Sequence, residues 1–150
     1  MICVDASIVF KWYFVEDHSE QSVALGRDAV QAGEPLVAPP LLLLELASTI
    51  RQRTRRSLLT AEEARLALDY FLGLPLWITG ETNTSTSWSL HHRALALSMR
   101  FNLPAVYDAY YLALAELNNC PFWTADRRLV EQLGSGFPLI HWIGDFTGTG

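Results

Sequence analysis

Several marks of familiar protein classes are missing from this chain. It has only two cysteines, Cys3 and Cys120, each in or beside an apolar strand-like run. Thiols in such settings behave as small buried hydrophobes, and no disulfide is expected. The first apolar run, Met1 to Val4, is cut short by Asp5. No later run approaches the ~18 apolar residues that span a bilayer, so neither a signal peptide nor a membrane helix is expected, and the cytoplasm is the expected location. There is no Gly-x-x-x-x-Gly-Lys phosphate loop, no Cys-x-x-Cys pair and no Gly-x-Ser-x-Gly elbow. His91 and His92 are adjacent, so a helix would point them apart, and His18 and His141 are isolated; the helical zinc pair needs i, i+4 spacing. No internal repeat is visible, and Lys11 is the sole lysine.

What is present fits one ordinary domain. A chain of 150 residues, half of them apolar, can bury a full core without staples. The net charge of −5 argues at first sight against a nucleic-acid partner, since phosphate binding draws on surplus Lys and Arg. If four carboxylates belong to one metal-binding cluster, however, the remainder carries −1, and two divalent ions offset the cluster itself. The basic residues are also clumped, with Arg51, Arg53, Arg55 and Arg56 inside six positions. Composition therefore leaves a nucleic acid open as substrate.

Met1 to Val4, stopped at Asp5-Ala6-Ser7, reads as a central strand buried on both faces, with Asp5 at its carboxyl end. In open parallel sheets that edge is where ligands bind. Ser7 is expected to cap a short helix to about Phe14. Asp17-His18-Ser19-Glu20 resembles a capping box for a helix to about Ala32, stopped by Gly33. Leu36-Val37-Ala38 is a second strand, ended by Pro39-Pro40. A helix from about Leu41 to Arg55 follows, and Thr60-Ala61-Glu62-Glu63 boxes another that ends near Gly73. Leu76 to Thr79 reads as the third strand and the polar stretch Gly80 to Ser87 as a loop. A helix from about Trp88 to Arg100 is broken at Asn102-Leu103-Pro104. Ala105 to Leu117 is apolar nearly all round and is expected to be a buried helix. Pro121 to Thr124 is the fourth strand, Asp126 starts a helix to Leu133, and Pro138 to Ile143 is the fifth strand. The five tryptophans sit mostly in apolar runs and read as core. Strands alternating with helices from end to end predict right-handed βαβ units and one mainly parallel sheet, an α/β architecture.

Four acids stand out in that scheme. Glu45 lies among apolar helix residues, where an ionised carboxylate is costly unless it is paired or bound to a metal; a surface glutamate at a helix edge is the ordinary alternative. Asp108 would be stabilised by a helix N-terminus whatever else it did, and Asp126 could simply be an N-cap. Together with Asp5, however, all four can converge on one sheet edge, where adjacent carboxylates resist joint ionisation without cations. Oxygen-only ligands suit Mg²⁺ or Mn²⁺, and the implied chemistry is phosphodiester hydrolysis.

The blocks Val4-Asp5-Ala6-Ser7 with Lys11-Trp12, Pro40 to Glu45, Tyr107 to Ala115, and Thr124-Ala125-Asp126-Arg127-Arg128-Leu129 are similar to those of PIN-domain proteins, specifically VapC-type toxins of toxin–antitoxin pairs. The closing Trp142-Ile143-Gly144-Asp145-Phe146 resembles family tails. The resemblance implies a single PIN domain over residues 1–150, with a three-layer fold and a five-stranded parallel sheet in the order 3-2-1-4-5. It implies a Mg²⁺- or Mn²⁺-dependent endoribonuclease whose acids are Asp5, Glu45, Asp108 and Asp126, supported by the hydroxyls of Ser7 and Thr124. Ser48 departs from the pattern, since many relatives carry Asn there. The resemblance further implies a VapB-like antitoxin whose tail covers the acidic groove, a homodimer, and an RNA substrate such as tRNA or rRNA. Lys11, Arg51, Arg55, Arg127 and Arg128 are the expected RNA contacts. Helical spacing puts Arg51 and Arg55 on one face and Arg53 and Arg56 on another, while the ordinary reading of the four is complementarity to a helix C-terminus.

Other functions fit less well. A haloacid-dehalogenase-like phosphatase would want an aspartate two residues after Asp5, where Ser7 stands, and a receiver domain would want a lysine near the fifth strand. A catalytically silent PIN-like protein-binding module would be expected to have lost one of the acids.

Overall fold

Short apolar triplets at regular intervals build the sheet. β1 (Ile2–Val4), β2 (Leu36–Ala38), β3 (Leu76–Ile78), β4 (Phe122–Thr124) and β5 (Ile140–Trp142) pair in parallel in the order β3-β2-β1-β4-β5. Cys3 of β1 is flanked in register by Val37 on one side and Phe122 on the other. Cys3, Val4, Val37, Ala38 and Phe122 are fully buried, as expected for central strands covered on both faces. The computed structural model describes residues 1–79 and 84–148, with side chains in the second range from residue 89 onward.

The helices are α1 (Ala6–Val9), α2 (Ser19–Gln31), α3 (Leu41–Arg55), α4 (Ala61–Leu72), α5 (Thr84–Arg100), α6 (Tyr107–Leu117) and α7 (Arg127–Leu133). α6 packs on β1 and β4, α5 covers α6, and α3 and α4 pack on each other. Six residues of α6 are buried, Tyr111 among them, and its ring stacks on Phe122 at 5.8 Å. Ser22 ties α2 to α1, because its buried hydroxyl donates to the carbonyl of Ile8 at 2.8 Å and its own carbonyl accepts from the Trp12 indole at 2.9 Å. Both cysteines are buried and unbridged. Among the described residues no helix is long and apolar enough to cross a membrane.

Several boundaries differ from the sequence reading, each for a local reason. The cap of α1 is Asp5 rather than Ser7: its backbone is extended and its carboxylate accepts the Ile8 amide. The helix then tightens into a 3-10 turn at Phe10–Trp12 instead of running to Phe14. The box expected at Asp17 does not form. His18 enters α2 in the left-handed conformation without a side-chain cap, and the Ser19 hydroxyl accepts the Glu16 amide instead. Gly33, at φ +66°, does stop α2, and Thr60 with Glu63 does box α4. Of the loop expected over residues 80–87, residues 84–87 belong instead to α5, which begins at Thr84; residues 80–83 lie outside those described. Ser and Thr favour helix starts over interiors, so this polar run belongs to the first turn. β5 is shorter than Pro138 to Ile143 because Pro138 brings no amide donor and Ile143 opens a 3-10 turn.

Candidate active site

Parallel pairing sets the site. Val4 is in register with Trp123, so the residues just beyond β1 and β4 meet at the same edge of the sheet. There the Ser7 hydroxyl donates to Asp5 Oδ1 at 2.5 Å and accepts the Ala125 amide at 2.8 Å. The buried Thr124 hydroxyl donates to Asp5 Oδ2 at 2.5 Å and accepts the Asp126 amide at 3.0 Å. With the Ile8 amide at 3.1 Å on Oδ1, both oxygens of Asp5 are held by donors from two separate strand ends. Ser7 and Thr124 are therefore cross-links between the β1 and β4 turns as well as orienters of Asp5.

The other acids arrive on helices. Glu45, on the second turn of α3, accepts a hydrogen bond from the Tyr111 hydroxyl of α6. Asp108 sits in the first turn of α6, and the exposed Asp126 caps α7, its Oδ1 accepting the amides of Arg128 and Leu129 at 2.9 and 3.1 Å. Burial pushes the Asp5 carboxyl up to about 6, with a further push from Asp108, even though Ser7, Thr124 and Ile8 favour its ionised form. Burial likewise raises Glu45 to about 7, Asp5 and Asp108 adding to the rise while Tyr111 opposes it. Asp108 is raised by its burial and by Asp126. Asp5, Glu45 and Asp108 thus each feel at least one other acid across the edge.

Among the described residues no three His, Cys, Asp or Glu side chains converge tightly enough to enclose a bare ion. A hydrated Mg²⁺ does not need such a cage, because it keeps several waters and is held through one or two carboxylates plus substrate phosphate. An oxygen-only donor set whose members resist ionisation together has the chemistry such a cation would satisfy.

The basic residues separate. Lys11, expected to face RNA, is instead buried, its ammonium 3.0 Å from Glu16. Arg53 pairs with the same carboxylate and lies over the rings of Phe10 and Phe14 at 4.9 and 4.7 Å. Arg51 donates to the Thr54 hydroxyl one helical turn on, at 3.0 Å. Arg127 pairs with Glu131 and covers Trp142, while Arg128, Arg55 and Arg56 are exposed. Glu45 also helps to line a pocket of about 420 Å³ with Ser7, Glu16, Ser48, Thr49 and Gln52. The sequence reading assigned no part to Tyr111 or Glu16. For Tyr111 a signal existed: three residues after Asp108 on an apolar helix, a hydroxyl shares its face and needs a partner. For Glu16 there was none, since its partners are fixed only by packing.

The PIN domain family model matches residues 2–132. Ribonuclease VapC3 of Pyrobaculum aerophilum is 32% identical over 93% of this chain and 96% of its own length. Ribonuclease VapC9 of Mycobacterium tuberculosis is 34% identical over 93% and 96%. In fold, the chain is similar to PAE2754 from Pyrobaculum aerophilum, with a TM-score of 0.66 at 17% identity over 95% of this chain and 89% of the other. A toxin–antitoxin complex from Klebsiella pneumoniae gives a TM-score of 0.58 at 17% identity over 94% and 96%. The chain belongs to the PIN domain family, as a VapC-type member.

Proposed function

We propose that residues 1–150 act as one PIN domain, a toxin endoribonuclease that hydrolyses RNA phosphodiester bonds with Mg²⁺ or Mn²⁺ held by Asp5, Glu45, Asp108 and Asp126. The observation that carries this reading is the electrostatic coupling of those acids at the carboxyl edge of the sheet, where burial and mutual repulsion raise Asp5 to about 6 and Glu45 to about 7. A protein keeps so costly a cluster when a cation offsets it. The relatives named ribonucleases span nearly the whole chain, which supports the same reaction here.

When bound, the cation would supply Lewis acidity at the phosphate and ease deprotonation of the attacking water. The chain's own contribution is positional. Ser7, Thr124 and the Ile8 amide fix both oxygens of Asp5, and Tyr111 fixes Glu45, so the ligating groups lose little freedom when they engage a cation.

A VapB-like antitoxin is the proposed partner, in line with the Klebsiella pneumoniae neighbour described as a toxin–antitoxin complex. Its tail would cover the groove and bring a basic side chain to the acids. The active form is proposed to be a homodimer working in the cytoplasm on tRNA or rRNA. The deciding experiment incubates purified, partner-free protein with total cellular RNA in Mg²⁺, in Mn²⁺, or in chelator. Discrete cuts that need metal are expected; cutting that ignores the chelator, or none at all, refutes the reading. Harmless expression at high soluble level, in a host whose RNA the protein cuts, would refute the antitoxin part.

A further inference from the structure

The α3 helix carries a continuous polar face that begins inside the acid cluster. From Glu45 it passes Ser48, Thr49 and Gln52 and ends at Arg55 and Arg56, steps of three and four residues that stack along one side of a helix. Two recesses lie along it. The first, of about 420 Å³, is lined by Ser7 and Glu45 at the acid end and by Glu16, Ser48, Thr49 and Gln52 farther on; the second, of about 400 Å³, is lined by Gln52, Arg55 and Arg56. Gln52 is common to both and exposed. Glu45 and Arg55 are ten residues apart on the helix, a rise of about 15 Å, which a few nucleotides of one strand can bridge.

The groups along this path have fixed tasks. Lys11 and Arg53 take one oxygen each of Glu16, so that carboxylate is a charge-compensated wall. Arg55 and Arg56, by contrast, have no ion-pair partner among the described residues. The Gln52 amide offers both donor and acceptor, as needed to read the edge of an unstacked base, and RNA is read by sequence mainly at unpaired bases. A pocket of this size lies in the range of small-ligand sites, about 300–1,000 Å³. Two guanidinium groups without an ion-pair partner, beyond a pocket whose apolar wall at Phe10 is edged by Ser48, Thr49 and Gln52, complement a phosphodiester strand and its nucleobase better than an apolar peptide.

We propose that the substrate strand runs along this face of α3. Building on the ribonuclease reading above, the pocket beside Glu45 receives the nucleobase next to the scissile bond, Gln52 is a specificity-determining residue that reads it, and Arg55 with Arg56 anchors a phosphate farther along. All three side chains are exposed, so their replacement leaves the fold intact.

The test has two arms. In the first, cut ends in total cellular RNA are mapped by sequencing for wild type and Gln52→Leu in Mg²⁺. The variant should still cut but lose or change the base preference at one position adjoining the cut. In the second, a short, unstructured, fluorescein-labelled RNA of mixed sequence is titrated against Asp5→Asn protein, with and without Arg55→Gln/Arg56→Gln, over a range of salt. The double change should flatten the slope of log affinity against log salt by about 1.4, about 0.7 per contact for a single strand. Arg65→Gln, whose arginine is paired with Glu62 and Asp69 on α4, is the charge control and should not move it. An unchanged base profile overturns the base pocket, and an unchanged slope overturns the phosphate anchor. Variants that bind RNA normally but lose the antitoxin would assign this face to the partner instead, overturning the proposal while ribonuclease activity stands. If wild type cuts no RNA, the underlying reading fails first.

Discussion

The four candidate site acids and the four arginines clustered at positions 51–56 behave in opposite ways. The acids are spread from position 5 to position 126 and finish in one electrostatic cluster. The arginines fill positions 51 to 56 and finish in three environments: Arg51 on Thr54, Arg53 locked to Glu16 and two phenylalanine rings, and Arg55 with Arg56 beside Gln52. A parallel sheet gathers distant residues because every strand delivers its carboxyl end to the same edge. A helix disperses neighbours because each step turns the side chain by about 100°. Closeness in sequence is thus a poor guide to a shared task, and a shared place in a repeating βα unit is a good one.

The strongest way to break this comparison is to remove one acid. Asp5→Asn should keep the fold and lower metal-dependent RNA cleavage by more than about 100-fold, since even changes to groups behind a metal ligand typically cost 10–100-fold. Cleavage near the wild-type rate would show that the acids share a place without sharing a task.

The next effect is on stability against pH. Asp5 and Glu45 have folded pKa values of about 6 and about 7, above their ordinary carboxylate values. Between about pH 4 and pH 7 the folded state therefore holds protons that the unfolded chain has released, and stability falls as pH rises through that window. At about 1.4 kcal/mol per unit, discounted because solvent screens the partly exposed Glu45, the two acids together cost on the order of a few kcal/mol once ionised. Metal-free protein should melt at a higher temperature near pH 5 than near pH 8, and Mg²⁺ should raise the melting temperature more at the higher pH. Asp5→Asn with Glu45→Gln should flatten the profile. A metal-free melting curve unaffected by that double change would contradict the coupling.

The arginines sharpen the comparison from the other side. Arg53→Gln removes a guanidinium from Glu16 and from the faces of Phe10 and Phe14, and chemical denaturation should register a loss of about 1–2 kcal/mol, with RNA affinity keeping its salt slope. The smallest effect is expected at the exposed Arg51, whose guanidinium donates to the neighbouring Thr54 hydroxyl; Arg51→Gln should change stability by less than about 0.5 kcal/mol. Equal losses at both positions would mean that the cluster acts as one helix terminus after all.

Much of the fold was legible in the chain. The alternation of apolar triplets with helical periods predicts the parallel sheet, and its order 3-2-1-4-5 follows from the family resemblance and is observed. The positions of the four acids in the fold were legible because a carboxylate on an apolar helix or just past a strand has no cheap local explanation. The grouping of the arginines was not. Helical spacing pairs Arg51 with Arg55 and Arg53 with Arg56, but Arg53 is drawn out of its pair by Glu16, a residue thirty-seven positions away. Lys11 read as an RNA contact although Glu16 is only five positions on, because it is packing, not spacing, that buries its ammonium against that carboxylate.

By itself the sequence determined the element types and which acids fall beside the strand carboxyl edge, because hydrophobic period and turn chemistry are local properties. Only the tertiary structure decided how those acids are held and what surrounds them. The Thr124 bond to Asp5, the Ser7 bond to the Ala125 amide, the Tyr111 bond to Glu45, and the Glu16 lock that separates a structural arginine from two available ones all join residues far apart in the chain. Such contacts are selected by how the layers pack, and packing is a property of the whole chain at once.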